Sequence, residues 1–422
     1  MSDPYGFCDA NGNPSLVPNG VSSIGGQAGV AGVDVAGLDC ANPDDPAFTV
    51  VGVGANGFPG YSPAFSDKYE RDSYAVYGDL SADINDALFL QAAVRFEDYS
   101  DFGNETVGKI AGRWLVNDQF AIRGSVGTGF RAPTPGQQGT TNVSTRLPDG
   151  VPVATGLFPA SGDIAAALGA SPLQAETSTS FTVGFTADLD KLSLTVDFYS
   201  IDIDDRFRAI STLPVSTDPD SGDAYDNFLA LDAAGVAGAA TIGGVFYFTN
   251  AFDTNTTGVD VVASYPIEWG NGQDTALQLA VNWNESSLES DASEFLNDED
   301  RYDFENRDPN IRWNLQATHS ISDLSFMGRV RYYGESDNQQ WSSGELVGTQ
   351  TFGSLVLFDL EANYQINDNW RVSIGGRNIF DDFPDQLDVI GRQDQCCGRI
   401  YDSGSIVPWQ GGYYFGRVSV SF

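Results

Sequence analysis

The sequence has 422 residues with 58 acidic and 21 basic side chains, so its formal net charge at neutral pH is -37. A surface this acidic repels phosphates along most of its extent and argues against a general nucleic-acid binder. The single histidine, His319, and the four cysteines argue against a histidine-based metal centre and a histidine-dependent nucleophile. We therefore expect no nucleic-acid partner, and because the sequence also has no GxSxG motif, no metal-ligand histidines and no P-loop, we expect no enzyme, no metal and no cofactor.

Neither a membrane-spanning helix nor a signal peptide is evident in the sequence. No run of about 18 apolar residues is present, which excludes a membrane-spanning helix. Spans made of alternating strands are not excluded, because their signal is weak in each segment. The first residues, MSDPYGFCDANGNPS, have neither the basic start nor the apolar core of a signal peptide. We expect either a cytosolic protein or a chain whose natural N-terminus is missing.

Strict alternation of apolar and polar residues is the strongest pattern in the chain. In LFLQAAVRF (88–96) the even-numbered positions are apolar, and KLSLTVDFY (191–199) and FDLEANYQI (358–366) alternate in the same way. Period two over such lengths predicts β-strands with one apolar and one polar face. Most segments run about ten to fourteen residues, long enough to cross a bilayer at a tilt. We count about 13 segments, beginning near residues 73, 87, 105, 119, 176, 191, 255, 274, 309, 323, 353, 369 and 411.

The connections between these segments alternate in length. One set has about two to five residues, whereas the other has roughly 6, 45, 51, 22, 18 and 30 residues. Short turns on one rim and long loops on the other are typical of an outer-membrane barrel. A soluble β-sandwich has no reason to confine long loops to alternate connections, and its strands are shorter. We therefore predict an all-β fold, a transmembrane antiparallel up-and-down β-barrel.

The last strand, GGYYFGRVSVSF, carries a further signal. Tyr414, Val418, Val420 and Phe422 lie on one face of it, and the chain ends on that aromatic residue. A terminal aromatic on an alternating last strand resembles the assembly signal of bacterial outer-membrane proteins. This resemblance implies recognition by the barrel assembly machinery. In a soluble sheet the same strand would leave an apolar edge uncovered.

Seven stretches in order resemble the C-terminal barrel half of a TonB-dependent outer-membrane receptor, and they extend the likeness over residues 71–422. GTGFRAP and NIFDDFPD are the most specific of their motifs, and Ala175 departs from the family, which often has proline there. The stretches are RDSYAVYGDLSADI (71–84), AAVRFEDYSDFG (92–103), IRGSVGTGFRAPTPGQ (122–137), LQAETSTSFTVGF (173–185), LSLTVDFYSIDIDDRF (192–207), TNTTGVDVVASYPI (254–267) and IGGRNIFDDFPD (374–385).

The resemblance implies a 22-stranded barrel filled by an N-terminal plug, of which this chain would supply about 13 strands. An odd strand number with a periplasmic C-terminus places the start of the first strand on the extracellular side. We therefore expect residues 1–70 to be an extracellular loop region truncated at its N-terminus, and residues 71–422 to be the C-terminal portion of the barrel. The plug, the TonB-contacting segment and about nine strands would then be absent.

The resemblance further implies a bacterial outer-membrane importer of a scarce, large solute of siderophore, cobalamin or carbohydrate type. Its partners would be outer-membrane lipid, a small-molecule substrate and the TonB-ExbB-ExbD complex, which the missing N-terminal part would contact. The acidic balance favours a carbohydrate, cobalamin-like or cationic ligand over an anionic ferric chelator. The alternatives are a passive outer-membrane porin and a secreted all-β carbohydrate-binding protein.

Two groups of residues in the predicted loops are candidates, one for contact with substrate and the other for disulfide bonds. Arg131 in GTGFRAP either fixes the strand-to-loop turn or contacts substrate, and Trp341, Phe352 and Tyr401 could stack on a sugar or chelate, although exposed aromatics also mark the membrane girdle. Cys8, Cys40, Cys396 and Cys397 read as disulfide partners in an oxidising periplasm, with Cys8 to Cys40 plausible and the adjacent pair either a vicinal bridge or bonded to the first loop.

Charged side chains on the strands and loops could bind a ligand or could serve only solvation and ion pairing. The acidic runs IDIDDRF (201–207) and ESDASEFLNDEDRYDFENRD (289–308) could hold calcium, but the EF-hand spacing is absent and solvated loop charge is favoured. The polar-face residues Arg95, Arg123, Arg312 and Arg377 are expected to pair with carboxylates of the lumen or with the plug rather than with ligand.

Overall fold

The computed structural model describes residues 70–146, 153–236, 238–342, 345–389, 391 and 399–421. The four cysteines, Phe422 and all of the predicted loop region 1–70 except Glu70 lie outside the described residues. No helix in the described ranges is long and apolar enough to cross a bilayer.

The described chain is built mainly of strands, which are numbered in chain order. They are β1 (Ser73–Asn85), β2 (Leu88–Tyr99), β3 (Gly103–Leu115), β4 (Phe120–Arg131), β5 (Asn142–Arg146), β6 (Val153–Leu157), β7 (Glu176–Leu189), β8 (Leu192–Ala209), β9 (Leu213–Pro214), β10 (Ile242–Phe246), β11 (Phe248–Glu268), β12 (Gln273–Leu288), β13 (Ile311–Ile321), β14 (Leu324–Tyr333), β15 (Ser336–Ser342), β16 (Glu345–Phe352), β17 (Leu355–Gln365), β18 (Trp370–Arg377) and β19 (Tyr413–Val420). The helices are α1 (Pro135–Gly139), α2 (Asp163–Ala167), α3 (Asp223–Ala233) and α4 (Asp298–Asn306), with 3-10 turns at Pro219–Ser221 and Ala239–Thr241.

Thirteen of these strands form one antiparallel sheet in the order β1-β2-β3-β4-β7-β8-β11-β12-β13-β14-β17-β18-β19. Sequential strands are neighbours throughout, as the up-and-down prediction requires. Within the described residues β1 and β19 are the two edges of this sheet. Twelve of the thirteen predicted strand starts agree with the structure to within two residues.

The predicted start of the seventh sheet strand, at residue 255, is wrong. β11 begins at Phe248, which pairs with Ala209 of β8. The register of this pair shifts between Asn250 and Phe252 and again between Phe252 and Thr254. The first irregularity inserts an extra residue in β11 and reverses its buried and exposed phase, whereas the second inserts an extra residue in β8. The period-two pattern of β11 is therefore interrupted although the strand continues.

Connection lengths alternate as predicted from β3 onward, but the β2–β3 connection, predicted at roughly 6 residues, spans only residues 100–102 and is no longer than the short turns. Three of the six short turns have the same local hydrogen bonding: the side-chain oxygens of Asn85, Asn117 and Asn367 each accept backbone N–H groups two and three residues ahead. Such Asx turns reverse the chain without help from outside the turn. Short connections span 86–87, 116–119, 190–191, 269–272, 322–323 and 366–369, and the opposite rim carries 100–102, 132–175, 210–247, 289–310, 334–354 and 378–412.

The long loops fold into structure of their own. Strands β5, β6, β10 and β9 form a four-stranded sheet, and β15 pairs with β16 as a separate hairpin. The four-stranded sheet packs with α2 and α3 around a hydrophobic core that includes Val143, Phe158, Leu231, Ile242 and Val245. We call this unit the loop subdomain. The largest buried apolar cluster therefore lies in the loops and not against the thirteen-stranded sheet.

Candidate functional site

The apolar face of the thirteen-stranded sheet is exposed. Val76 and Ile374 are each 69% exposed, and Ile110 is 62% exposed. Monomeric soluble proteins rarely expose contiguous apolar patches larger than a few hundred Å². Exposed apolar side chains extend along this face from β1 to β19 and include Leu80, Leu90, Val94, Val126, Phe185, Leu315, Leu360 and Val418. The face needs an apolar environment such as lipid.

Aromatic side chains cluster at both rims of this face. The short-turn rim carries exposed Trp114, Trp269, Tyr364 and Trp370. The long-loop rim carries exposed Tyr74, Phe380 and Tyr414, together with the stacked pair Trp313 and Tyr332, whose ring centroids are 5.3 Å apart. Two aromatic girdles flanking an apolar band are typical of strands that cross an outer membrane.

The predicted assembly-signal residues lie on the same face where they are described. Tyr414 and Val418 are 65% and 60% exposed, whereas Val420 is half-buried. Tyr414 also donates its hydroxyl proton to the backbone oxygen of Ile379, at 2.9 Å. Their role in assembly remains a prediction.

The opposite face of the sheet carries a network of hydrogen bonds across several strands. Arg123 on β4 forms a bidentate ion pair with Asp197 on β8. On β12 the amide of Asn282 donates to Asp260, at 2.8 Å, and accepts from the Nη2 atom of Arg312, at 3.0 Å. These five residues line a concavity of about 540 Å³. We call this surface the polar wall.

The polar wall confirms part of the expected pairing of arginines. Arg95 pairs with Glu97, and Arg123 pairs with Asp197. Arg312 contacts an amide instead of a carboxylate, and its Nε atom is buried without a hydrogen-bond partner among the described residues. Arg377 is exposed at the end of β18. The network also includes residues that were not singled out from the sequence: Tyr199, Asn282, Arg331 and Asp359.

Arg131 lies at the end of β4, where three strands meet the loops. Its Nε and Nη2 atoms donate to the carboxylate of Glu176, at 2.5 and 2.6 Å, and its guanidinium carbon is 5.2 Å from the ring centroid of Phe207. Glu176 is only 4% exposed and also accepts the backbone N–H of Phe207. Arg131 therefore ties β4 to β7 and β8, and contact with a solute remains a prediction.

The three predicted aromatic contacts differ in their exposure and in the elements that carry them. Trp341 is half-buried near the tip of the β15–β16 hairpin and donates its ring N–H to Gln339, at 3.2 Å. Phe352 lies at the base of the same hairpin and is 8% exposed, so little of its ring is accessible. Tyr401 lies in the β18–β19 loop and stacks on Phe383, with ring centroids 5.7 Å apart. Trp341 and Tyr401 keep accessible surface, and Phe352 is mainly a packing residue.

The acidic run 289–308 does not behave as a purely solvated segment. Part of it forms α4, whose Asp303 accepts hydrogen bonds from Arg307 and Asn338, both at 3.0 Å. Burial raises the pKa of Asp303 to about 6, although Arg307 acts in the opposite direction. The expectation of solvated charge is therefore wrong for this residue. In the described ranges no group of three or more acidic, histidine or cysteine side chains is arranged to hold a metal ion.

Comparison with known proteins agrees with this architecture. The siderophore receptor PirA from Acinetobacter baumannii is 16% identical with a TM-score of 0.57, over 90% of this chain and 50% of that one. A mutant of the ferric enterobactin receptor PfeA from Pseudomonas aeruginosa is 15% identical with a TM-score of 0.56, over 90% of this chain and 49% of that one. The FrpB iron transporter from Neisseria meningitidis is 13% identical with a TM-score of 0.51, over 83% of this chain and 45% of that one.

At these identities the similarity shows the fold, and the chain spans about half the length of each solved protein. A family model described as TonB dependent receptor-like, beta-barrel matches residues 11–379, which is most of the chain. The chain therefore belongs to the family of TonB-dependent receptor β-barrels.

Proposed function

We propose that residues 71–422 are the C-terminal portion of an outer-membrane receptor barrel that imports a scarce, large solute. The observation that carries this proposal is the pair of faces of the thirteen-stranded sheet. An exposed apolar band lies between two aromatic girdles, while the opposite face is a hydrogen-bonded polar wall. That arrangement suits lipid on one side and a polar solute or a polar protein segment on the other.

Strand parity supports the view that further strands complete the barrel. In an antiparallel sheet of thirteen strands, β1 and β19 run in the same direction. Pairing these two edges would be parallel, and two copies with the same orientation in a membrane would meet with the same mismatch. An odd number of additional strands restores the antiparallel pattern, and nine of them would give the 22 strands of plugged transporters.

The proposed mechanism is energised import and not passive diffusion. A solute too large for an open pore must be bound tightly outside and released inside, and tight binding is reversed only by work done on the protein. The outer membrane has no nucleotide supply, so the work would come from the TonB-ExbB-ExbD complex through an N-terminal plug. The folded loops and the polar wall would then form the vestibule in which the solute binds.

For the solute we propose a siderophore-type ferric chelate first, with cobalamin-type and carbohydrate-type solutes as the other candidates. The support is the function named for the similar structures, which are a siderophore receptor, a ferric enterobactin receptor and an iron transporter. The acidic balance of this chain favours a neutral or cationic chelate over a strongly anionic one.

Uptake by whole cells tests the proposal. Cells that carry the gene and cells that lack it are given radiolabelled ferric chelates, cobalamin or maltodextrin, with TonB present or depleted. We expect uptake of one solute class that needs both the gene and TonB. Uptake that needs the gene but persists without TonB would identify a passive porin instead. A water-soluble product that binds carbohydrate and supports no uptake would identify the secreted binding protein.

A further inference from the structure

The β12–β13 loop contacts neighbouring elements of the long-loop rim on several sides. Asp300 of α4 accepts a hydrogen bond from Ser211 in the β8–β11 loop. The ring of Phe304 packs edge-on against Phe252 of β11, with centroids 5.9 Å apart. The loop therefore joins the loop subdomain and the sheet rim to the elements on the other side of α4.

On that other side the contact depends on Asp303. Its side chain is 10% exposed, and its Oδ2 atom accepts from the Nη1 atom of Arg307 and the Nδ2 atom of Asn338 in β15. Arg307 directs its Nε and Nη2 atoms to Asp402 in the β18–β19 loop, with the Nε contact at 2.9 Å. One guanidinium thus serves two carboxylates, and the group joins three loops. We call these four residues the loop latch.

The surroundings of Asp303 disfavour its charged form. Water is largely excluded from the carboxylate, and its Arg307 partner is bidentate to another carboxylate. The charged and titratable groups that act on it are Arg307, Asp300 and Tyr302 of its own segment and Asp402 of the β18–β19 loop. Asp337, which precedes Asn338 in β15, acts on Tyr302. Burial, the largest effect, and the neighbouring carboxylates oppose ionisation, while Arg307 and a hydrogen bond from the backbone of Gln339 in β15 favour it.

We propose that Asp303 is the proton-binding group of a pH-sensitive loop latch, which holds α4 against β15 and the β18–β19 loop more tightly in mild acid than at neutral pH. Protonation removes the cost of a buried charge and leaves a carboxyl oxygen that still accepts from Asn338. The proposal concerns the loops alone and does not depend on which solute is imported.

The direction in which docking changes with pH follows from the pKa of Asp303, which is about 6 in the docked loop and 3.8 as its ordinary value. The docked state then binds the proton more tightly than the undocked state. Docking is therefore strongest below pH 3.8, weakens as the pH rises through 6, and is constant above it. Between pH 8 and pH 5 the docking equilibrium is expected to strengthen about tenfold.

Hydrogen–deuterium exchange of the full chain in lipid vesicles tests the latch. Exchange of the amides of α4 and β15 is measured at pH 5 and pH 8, with correction for the intrinsic pH dependence of exchange. In the unmodified chain we expect protection to be about tenfold greater at pH 5. The variant Asp303→Asn is neutral at both values, so its α4 amides should have the high protection at pH 8 as well, with no pH effect.

The matched control is Asp298→Asn in the same helix, because the Asp298 side chain is 64% exposed. This variant should keep the tenfold effect. Amides of β8 and β11, read in the same spectra, report the sheet and should not change. Equal protection of α4 at both pH values in the unmodified chain would overturn the proposal. So would a tenfold effect that persists in Asp303→Asn, or a loss of protection at both pH values in that variant.

Discussion

Replacing Val94 by arginine tests which environment surrounds the apolar face. Val94 lies in the middle of β2, is 55% exposed and has Gly78 and Gly108 as its cross-strand neighbours. The matched control is Ala93→Arg, one residue earlier on the polar face. Its cross-strand neighbours are Asp79 and Lys109, so an added arginine meets one charge of each sign.

The two environments predict different costs for Val94→Arg. An arginine on the lipid face near the bilayer midplane costs about 2–4 kcal/mol. In water, the same change at an exposed valine alters the free energy of unfolding by no more than about 0.5 kcal/mol. Since glycines flank Val94 on both neighbouring strands, the arginine has room and steric clash adds little. The control should stay within about 0.5 kcal/mol in either environment.

The assay is urea-induced unfolding of the chain in phospholipid vesicles, followed by tryptophan fluorescence. We expect Val94→Arg to lower the free energy of unfolding by at least about 2 kcal/mol and Ala93→Arg to leave it nearly unchanged. Equal effects of the two substitutions would refute the assignment of the faces. So would a Val94→Arg protein that is soluble without lipid and as stable as its parent.

Three further predictions concern the loops. Leu231→Ala removes a fully buried side chain from the loop subdomain and should destabilise that unit by about 2–5 kcal/mol. Amide exchange should become faster in β10 and α3 and stay unchanged in β12 and β13, whereas faster exchange throughout the sheet would contradict a separate unit. Arg131→Ala leaves the buried carboxylate of Glu176 without its cation and should lower the free energy of unfolding by about 1–3 kcal/mol, a range that already allows for solvent screening because the Arg131 side chain is 61% exposed. An unchanged unfolding midpoint would show that the pair contributes nothing. If Trp341 and Tyr401 contact the solute, alanine at either should weaken binding about tenfold in a titration with the labelled solute, while Phe352→Ala should mainly lower stability; unchanged affinity in both variants would remove them from the site.

Strand positions were predictable because the sheet has one apolar and one polar face. A period of two identifies such strands wherever pairing is regular, as in β2, β8 and β17. It fails for the start of β11, where a register shift between Asn250 and Phe252 reverses the phase. Asn117 and Asn367 lie in short turns, and Asn85 is the last residue of β1 before another.

The loop structure was not predictable by the same reasoning. Val143, Phe158, Leu231 and Ile242 come from distant parts of two loops and form one core only after those loops meet. Neither a period of two nor a period of 3.6 connects them. Asp303 looked solvated for the same reason, since Asn338 and Asp402, which enclose it, are remote in sequence.

The most direct test of the central claim is the accessibility of nitroxide labels placed one at a time at residues 89 to 97 of β2. The labels require a background in which Cys8, Cys40, Cys396 and Cys397 are replaced by serine. In lipid vesicles, oxygen collision rates should be high at even-numbered positions and low at odd-numbered ones, with a water-soluble nickel complex showing the opposite pattern. Access of the nickel complex to both faces, or to neither, would contradict a membrane barrel with its apolar face in lipid.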